Sequence, residues 1–550
     1  MTAALLAAGV LPPGASAGTP ANSGAGSTGL LPKLVLPHVE YHLLIPMLVL
    51  MGSAALLLTV ASLVRGQWRR GLYAGWTVVT GLVALGWSWH LWGQVVGHDH
   101  PGRPGPTSAV AGAVAIDGFA LFITMTILIA LVIGALLAES YLPREGLEGP
   151  EFYVLAMLSA SGGILMAEAN DLIVVFLGLE ILSLSLYVLT AYHRRRVQSG
   201  EAGMKYFVLG AFSSALFLYG VALTYGAVGS TSLPAIATYL STTVVIHNGV
   251  LLAGMAFLLV GLGFKVAAVP FHVWTPDVYQ GAPSPATGYM AAAAKAAGFA
   301  ALLRIFLSAL PTQVETWRPL VWALAALSLV VGSVIAVVQT DVKRILAYSS
   351  VSHAGYVLLG LEAATATGAI SRNGLAGSAF YLLAYTFMVT GSFAVVTVVG
   401  GRGDRRHSLD AYRGLAADRP ALALAFTILL ISQAGIPFTT GFVAKFDVIS
   451  AVIAQGRPSD YVLGVLAMLA AVVATAFYLR IILAMYTPAP TDAPEAVPSG
   501  GTTTLVATRS RLVVAPSLAL AVTVCTAFTV GFGIFPGPII HLAERATLLF

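Results

Sequence analysis

Charge is what this chain has least of. Across 550 residues only 9% are Asp, Glu, Lys or Arg, whereas 58% are hydrophobic. That balance excludes a soluble globular domain and points to a polytopic helical membrane protein. Cysteine is reduced to Cys525, inside an apolar run. A single cysteine excludes an intrachain disulfide, a CxxC pair and an iron–sulfur cluster. Nucleotide signatures are missing as well: the lone GLG at Gly261 follows no strand pattern and lacks a third glycine, and no Walker loop or zinc spacing occurs. The net charge of +5 is spread over connecting loops, so it bears on topology and gives no reason to expect nucleic acid as a partner.

What the chain does have is apolar runs of about twenty residues, long enough to cross a bilayer. Residues 1–36 are rich in Ala, Gly, Ser and Pro; the apolar stretch Ala3–Leu11 is short and follows no basic residue, which makes it a poor signal peptide and leaves a flexible tail or weak anchor. From Leu43 the pattern predicts about fourteen spans, at 43–64, 72–95, 115–138, 152–169, 171–192, 204–228, 248–269, 285–310, 319–339, 345–361, 376–400, 421–455 (interrupted), 461–486 and 512–535. The segment 491–510 reads as a polar Pro/Thr loop. Loops after odd-numbered spans hold sixteen basic residues, among them Arg65, Arg69, Arg70, Arg194, Arg195, Arg196, Lys343, Arg344, Arg509 and Arg511. The opposite side holds six: Lys33, Arg103, Arg318, Arg372, Arg457 and Arg545. Positive charge is retained on the cytoplasmic side, so both termini are expected outside.

Two spans are interrupted in similar ways. The seventh carries Lys265 and then Pro270–Phe271; the twelfth carries Pro437–Phe438, Gly441 and Lys445. Spans 4–8 and 9–13 would then be two five-helix units, each with its broken helix in fourth place. An odd number of helices per unit makes the second copy inverted in the membrane. The expected division is a tail (1–36), three leading helices (37–140), a first repeat (141–310), a second repeat (311–490) and a closing loop with helix 14 (491–550).

Ionisable groups inside the spans point to function. Glu180, Lys205, Lys265, Lys295 and Lys445 fall on five different spans. One buried pair is commonly structural; five such groups suggest a relay. Lysine suits a relay because a moving carboxylate changes its hold on a proton, whereas arginine stays protonated. His272 and His353 could bridge lysines through water. Arg304 and Arg480 are expected to snorkel to a surface, Asp277 to serve as a helix cap or turn residue, and Asp341, Lys343 and Arg344 to form a cytoplasmic surface cluster.

The stretch FKVAAVPFHVWTPDVYQGAPSPATGYMAAAAKAAGF from Phe264, DVKRILAYSSVSHAGY from Asp341 and GIPFTTGFVAKF from Gly435 resemble the antiporter-like membrane subunits of bacterial proton-pumping NADH–quinone oxidoreductase (respiratory complex I), subunit N above all. The resemblance runs from about Leu43 to Pro536. The extension before Leu30 departs from shorter members, and the long lateral helix of one sister subunit is absent. The resemblance implies an all-α fold with interrupted helices 7 and 12. It also implies a proton relay of Glu180, Lys205, Lys265, Lys295, His353 and Lys445, with Glu180 and Lys265 as a switchable pair. No cofactor or metal is implied in this chain; FMN, iron–sulfur clusters, NADH and quinone belong to the complex as a whole. The implied partners are the other membrane-arm subunits and the lipid of a bacterial cell membrane, with quinone bound elsewhere. Rival readings are a subunit of a multisubunit cation/proton antiporter or membrane-bound hydrogenase on the same fold, a stand-alone solute transporter, and a structural scaffold.

The charge asymmetry predicts the side of the C-terminus. A reporter active only in the cytoplasm, fused after Phe550, should stay silent in cells that assemble the protein; a strong signal would reverse the assignment.

Overall fold

A backbone surrounded by lipid has to satisfy its own N–H and C=O groups, so a chain this apolar folds segment after segment into helix. The computed structural model describes residues 39–64, 71–96, 105–243, 248–365, 372–488 and 512–549. The tail 1–36, the loop 491–510 and, from the charge count, Lys33, Arg65, Arg69, Arg70, Arg103, Arg509 and Arg511 lie outside the described residues.

The helices are α1 (Ile45–Leu63), α2 (Leu72–Val95), α3 (Gly118–Glu145), α4 (Glu151–Glu168), α5 (Leu172–Thr190), α6 (Val197–Val228), α7 (Leu233–Thr242), α8 (Asn248–Val266) and α9 (Thr275–Gly281). Next, α10 (Ser284–Tyr289) and α11 (Lys295–Arg304) form one rod through π-helical turns at Met290–Ala294 and Ile305–Ala309. There follow α12 (Val314–Val338), α13 (Val342–Ala363), α14 (Arg372–Gly400), α15 (Leu415–Asp418), α16 (Pro420–Ala434), α17 (Thr440–Ile453), α18 (Pro458–Tyr486), α19 (Pro516–Ile534) and α20 (Gly537–Glu544).

Among the described residues ten rods are long and apolar enough to cross a membrane: α1, α3, α5, α6, α8, α10–α11, α12, α14, α18 and α19. The other four expected spans coincide with α2, α4, α13 and the pair α16–α17. Besides the short helices α9 and α15, three further elements fall outside the expected spans. These are the short helices α7 and α20, and a small antiparallel hairpin of β1 (Thr107–Ala109) and β2 (Val114–Ile116) ahead of α3.

The rods α10–α11 and α14 are buried along their whole apolar length, and the others pack around them. The crossings α4–α5 and α12–α13 are both made by glycine. A Cβ on Gly162 would come within 2.5 Å of the Leu182 nitrogen, and one on Gly332 within 2.5 Å of the Ser352 nitrogen. These are the first helix pairs of the two expected five-helix units.

Both expected helix breaks are present, and each has its freed backbone groups satisfied. After Val266 the chain leaves the helix through Ala267 in the left-handed region. Trp274 Nε1 then donates to Phe264 O (3.0 Å), and Val269 N donates to Ser328 Oγ (2.9 Å). After Ala434 the chain turns at Gly435, with φ of 91°. A side chain there would be strained by the backbone and would meet Lys445 Cδ at 2.8 Å. Thr439 caps the restart of the helix at α17.

Arg304 does not snorkel. It is 1% exposed and grips Asp117 in a fork, Nη1 to Oδ2 at 2.8 Å and Nη2 to Oδ1 at 2.9 Å, with Nε on Ala167 O. Asp117 caps α3 at the same time. The sequence could not show this pair because its members lie 187 residues apart. Arg480 is half-buried and donates to Val337 O at the end of α12.

Truncating one partner of such a buried fork leaves an uncompensated charge, a loss of about 3–5 kcal/mol. Arg304→Ala should therefore lower the midpoint of thermal dissociation of the purified complex, and an unchanged midpoint would show the fork to be dispensable.

Candidate functional site

Lys265 lies in the last turn of α8 and is 5% exposed. Its amine donates to Ser183 Oγ at 2.8 Å and to Tyr206 OH at 3.4 Å, over the Tyr206 ring. Glu180, midway along α5, sits one turn from Ser183 on the same helix face, and its Oε1 is buried with no hydrogen-bond partner. The expected pair is therefore open here: no ion pair within 4 Å joins Glu180 to Lys265, because Ser183 takes the amine instead. The stem of Lys265 packs on Gly298, where a Cβ would meet Lys265 Cγ at 3.3 Å. Gly298 is one turn from Lys295 on α11, so the two lysines flank one helix contact.

Lys295, 3% exposed, follows directly on a π-helical turn, a local widening often found at functional sites. Its amine donates to Ser350 O and to Ser350 Oγ (2.6 Å) on α13. Tyr279 OH lies 3.4 Å from the same Ser350 Oγ. One residue along, Ser349 Oγ bonds Tyr478 OH on α18. Tyr478 OH is 3.3 Å from His353 Nε2, and His353 Nδ1 is 2.7 Å from Tyr381 OH on α14. Tyr381 stacks on Tyr356, over whose ring the Lys445 amine stands at 4.6 Å. Lys445 donates to Gln433 O and Ala434 O, both at 2.9 Å. These are the carbonyls left free where α16 ends, so the lysine of the restarted helix caps the interrupted one.

Sequence reasoning singled out Lys265, Lys295, His353 and Lys445, and the structure buries all four; Lys295, His353 and Lys445 are strung along one polar line of hydroxyls on α13, α14 and α18, whereas Lys265 reaches it only through the packing of its stem on Gly298. Sequence reasoning missed the connecting hydroxyls of Ser350, Tyr381 and Tyr478, whose only signal was polarity within apolar helices. His272 is not in the line; its ring lies against Tyr348 in the first break.

Lys205 is placed differently from expectation. Its side chain is 42% exposed, paired with Glu201 (2.8 Å) one turn earlier on α6 and with Asp277 (2.7 Å). Its position two turns into α6 leaves it near the helix end. Asp277 makes no cap; it joins Lys205 to Arg344, also at 2.7 Å. Glu201, Lys205 and Asp277 line a cavity of about 660 Å³ together with Arg196, Asp341 and Asp404. Lys343 is no surface residue either. It is fully buried, donates to Ala282 O (2.6 Å) and lies 3.6 Å from Asp404.

Asp404, in the loop after α14, collects Arg196 (3.2 Å), His407 (3.0 Å) and both the amide and hydroxyl of Ser284. Burial alone would raise the Asp404 carboxyl, but Lys343, His407 and Arg196 hold it well below the usual carboxylate range. The loop thereby fastens α10, α13, α14 and the α5–α6 connection at one end of the bundle.

The family model described as "NADH:quinone oxidoreductase/Mrp antiporter, TM" matches residues 169–473. NADH-quinone oxidoreductase subunit N of Trichlorobacter lovleyi is 43% identical over 415 residues, covering 75% of this chain and 81% of that protein. The protein of the same name from Mycobacterium bovis is 39% identical and covers 94% of this chain and 99% of its own length. Among solved structures, a chain of respiratory complex I from Thermus thermophilus with bound aureothin superposes with a TM-score of 0.71 at 32% identity, covering 91% of this chain and 99% of that one. The family match spans more than half of the chain and includes both broken helices and the lysine line between them, so the chain belongs to the NADH:quinone oxidoreductase/Mrp antiporter transmembrane family, in its subunit N branch.

Proposed function

We propose that this chain is a membrane-arm subunit of an NADH–quinone oxidoreductase that moves protons across the bacterial cell membrane, with electron transfer in other subunits. The observation that carries this reading is the state of three lysines. Lys265, Lys295 and Lys445 are sealed in the apolar interior, and their amines bond neutral oxygens instead of carboxylates. A lysine kept for structure alone would be paired with a counter-charge, because an uncompensated buried ammonium is costly. A lysine on neutral oxygens can release its proton along the hydroxyls that hold it.

In this reading Glu180 is the switch. When its carboxylate swings from its unpartnered position onto Lys265, the pair gains about 4 kcal/mol at an effective dielectric of about 20. Opening the pair withdraws that stabilisation and sends the proton past Lys295, Ser350 and His353 towards Lys445. Lys205 and Asp277 sit at the cavity, where protons would be collected. Fourteen spans, with inverted five-helix units over 141–310 and 311–490, put one broken helix on each half of this route. Both termini then lie outside, the chain carries no redox centre or cofactor, and its neighbours are the other membrane-arm subunits and lipid.

Lys265→Ala should cut proton pumping and, through tight coupling, slow quinone reduction in membrane vesicles, with the complex still assembled. Lys265→Arg should fail as well although it keeps the charge, since arginine does not release its proton. Wild-type pumping by the arginine variant, normalised to assembled complex, would leave Lys265 as a structural charge and remove the relay at this position.

A further inference from the structure

The polar line has a candidate terminus at the end of α13 away from the Asp404 loop. There Arg318 of α12 stands between two carboxylates. Its Nε meets Glu362 Oε1 at 2.6 Å, and its Nη2 meets Asp460 Oδ1 at 2.8 Å. Glu362 is 1% exposed, Asp460 0% and Arg318 8%. Two buried carboxylates share one guanidinium. Of the four carboxylate oxygens, Glu362 Oε2 and Asp460 Oδ2 are buried with no hydrogen-bond partner.

The remaining neighbours do not balance the charge. Glu315, exposed in the first turn of α12, adds a further negative group. Arg457, just ahead of α18, forms no ion pair with either carboxylate among the described residues, and Ser459 contributes only a hydroxyl to Asp460 Oδ1. With both carboxylates ionised the buried triad carries an uncompensated negative charge, which is unfavourable in a dry interior. One proton removes it.

The helix ends distinguish the two carboxylates. Asp460 lies in the first turn of α18, where the helix dipole favours an anion. Glu362 lies in the last turn of α13, where the dipole disfavours one. The same helix carries Lys343 at the Asp404 cluster, Ser350 under Lys295, His353, and Tyr356 under Lys445. From Lys343 to Glu362 is nineteen helical steps, about 28 Å at 1.5 Å per residue, close to the thickness of a bilayer core. Tyr356 OH also bonds Ala467 O on α18, so α13 and α18 stay packed between the line and the triad.

We propose that Glu362, held by Arg318 and facing Asp460, is a proton-holding relay residue, taking protons from the His353–Lys445 region and delivering them to the far face. This rests on the proton-relay reading above. The step is a simple proton transfer: the carboxylate accepts a proton from the line and returns it to water, with no other bond made or broken.

The test uses the whole complex in sealed membrane vesicles, with pumping normalised to assembled complex. Glu362→Gln keeps shape and the contact to Arg318 but fixes the site as neutral; pumping should fall by about a hundredfold, the low end of the range ascribed to a lost proton-transfer group. Glu362→Asp should restore a measurable part of it. Asp460→Asn leaves one carboxylate for one guanidinium, removes the reason to bind a proton, and should fail likewise. Wild-type pumping by Glu362→Gln would overturn the proposal and leave the triad as a fixed ion cluster. Lys445→Ala is measured alongside. If it pumps normally, the relay reading itself fails; if it stalls while Glu362→Gln pumps, only the terminal role of Glu362 is lost.

Discussion

A buried amine resting on neutral oxygens is the contact from which the rest of this bundle follows. Lysine in an apolar interior is costly unless something accepts its three donors. Here the acceptors are Ser183, Ser350 and the end carbonyls of α16. Each lysine sits beside a local irregularity. The α16 carbonyls are free only because the helix stops at Ala434. Lys265 ends a helix that stops at Val266, and Lys295 follows a π-helical turn. The interruptions that look like faults in a membrane helix are therefore what makes charge tolerable at that depth.

The irregular centre is held between rigid ends. At one end the Asp404 loop joins α10, α13 and α14 through Lys343, Ser284 and His407. At the other, Arg304 forks onto Asp117, and Arg318 binds Glu362 and Asp460. These clusters tie the helices to one another at both ends of the bundle. Glu180, Glu362 and Asp460 are among the buried groups that keep a polar atom without a hydrogen-bond partner.

Much of the fold was legible in the sequence because hydropathy over twenty residues is a strong signal. Apolar runs marked out helices, and Pro270 and Pro437 placed both breaks. The lysines were legible for the same reason: Lys265, Lys295 and Lys445 stand out against apolar neighbours. Pairing was not legible. Arg304 and Arg318 looked like residues close to a surface because their partners come from helices remote in sequence; Arg318 and Asp460 are 142 residues apart. Lys205 looked buried because it falls inside an apolar run, yet Glu201 one turn before it and Asp277 from the broken segment draw it to the cavity. Tyr478 and Tyr381 carried only a weak signal, since a tyrosine in an apolar helix reads as packing until its hydroxyl is seen against a histidine.

The central claim is that hydroxyls and imidazole between Lys295 and Lys445 carry protons. Tyr478→Phe tests it most directly, because it removes the one hydroxyl that touches both Ser349 and His353 and keeps the ring in place. The quantity to measure is the rate of proton movement per assembled complex in sealed vesicles. A drop of about a hundredfold is the predicted result, and a rate equal to that of the wild type would contradict the account.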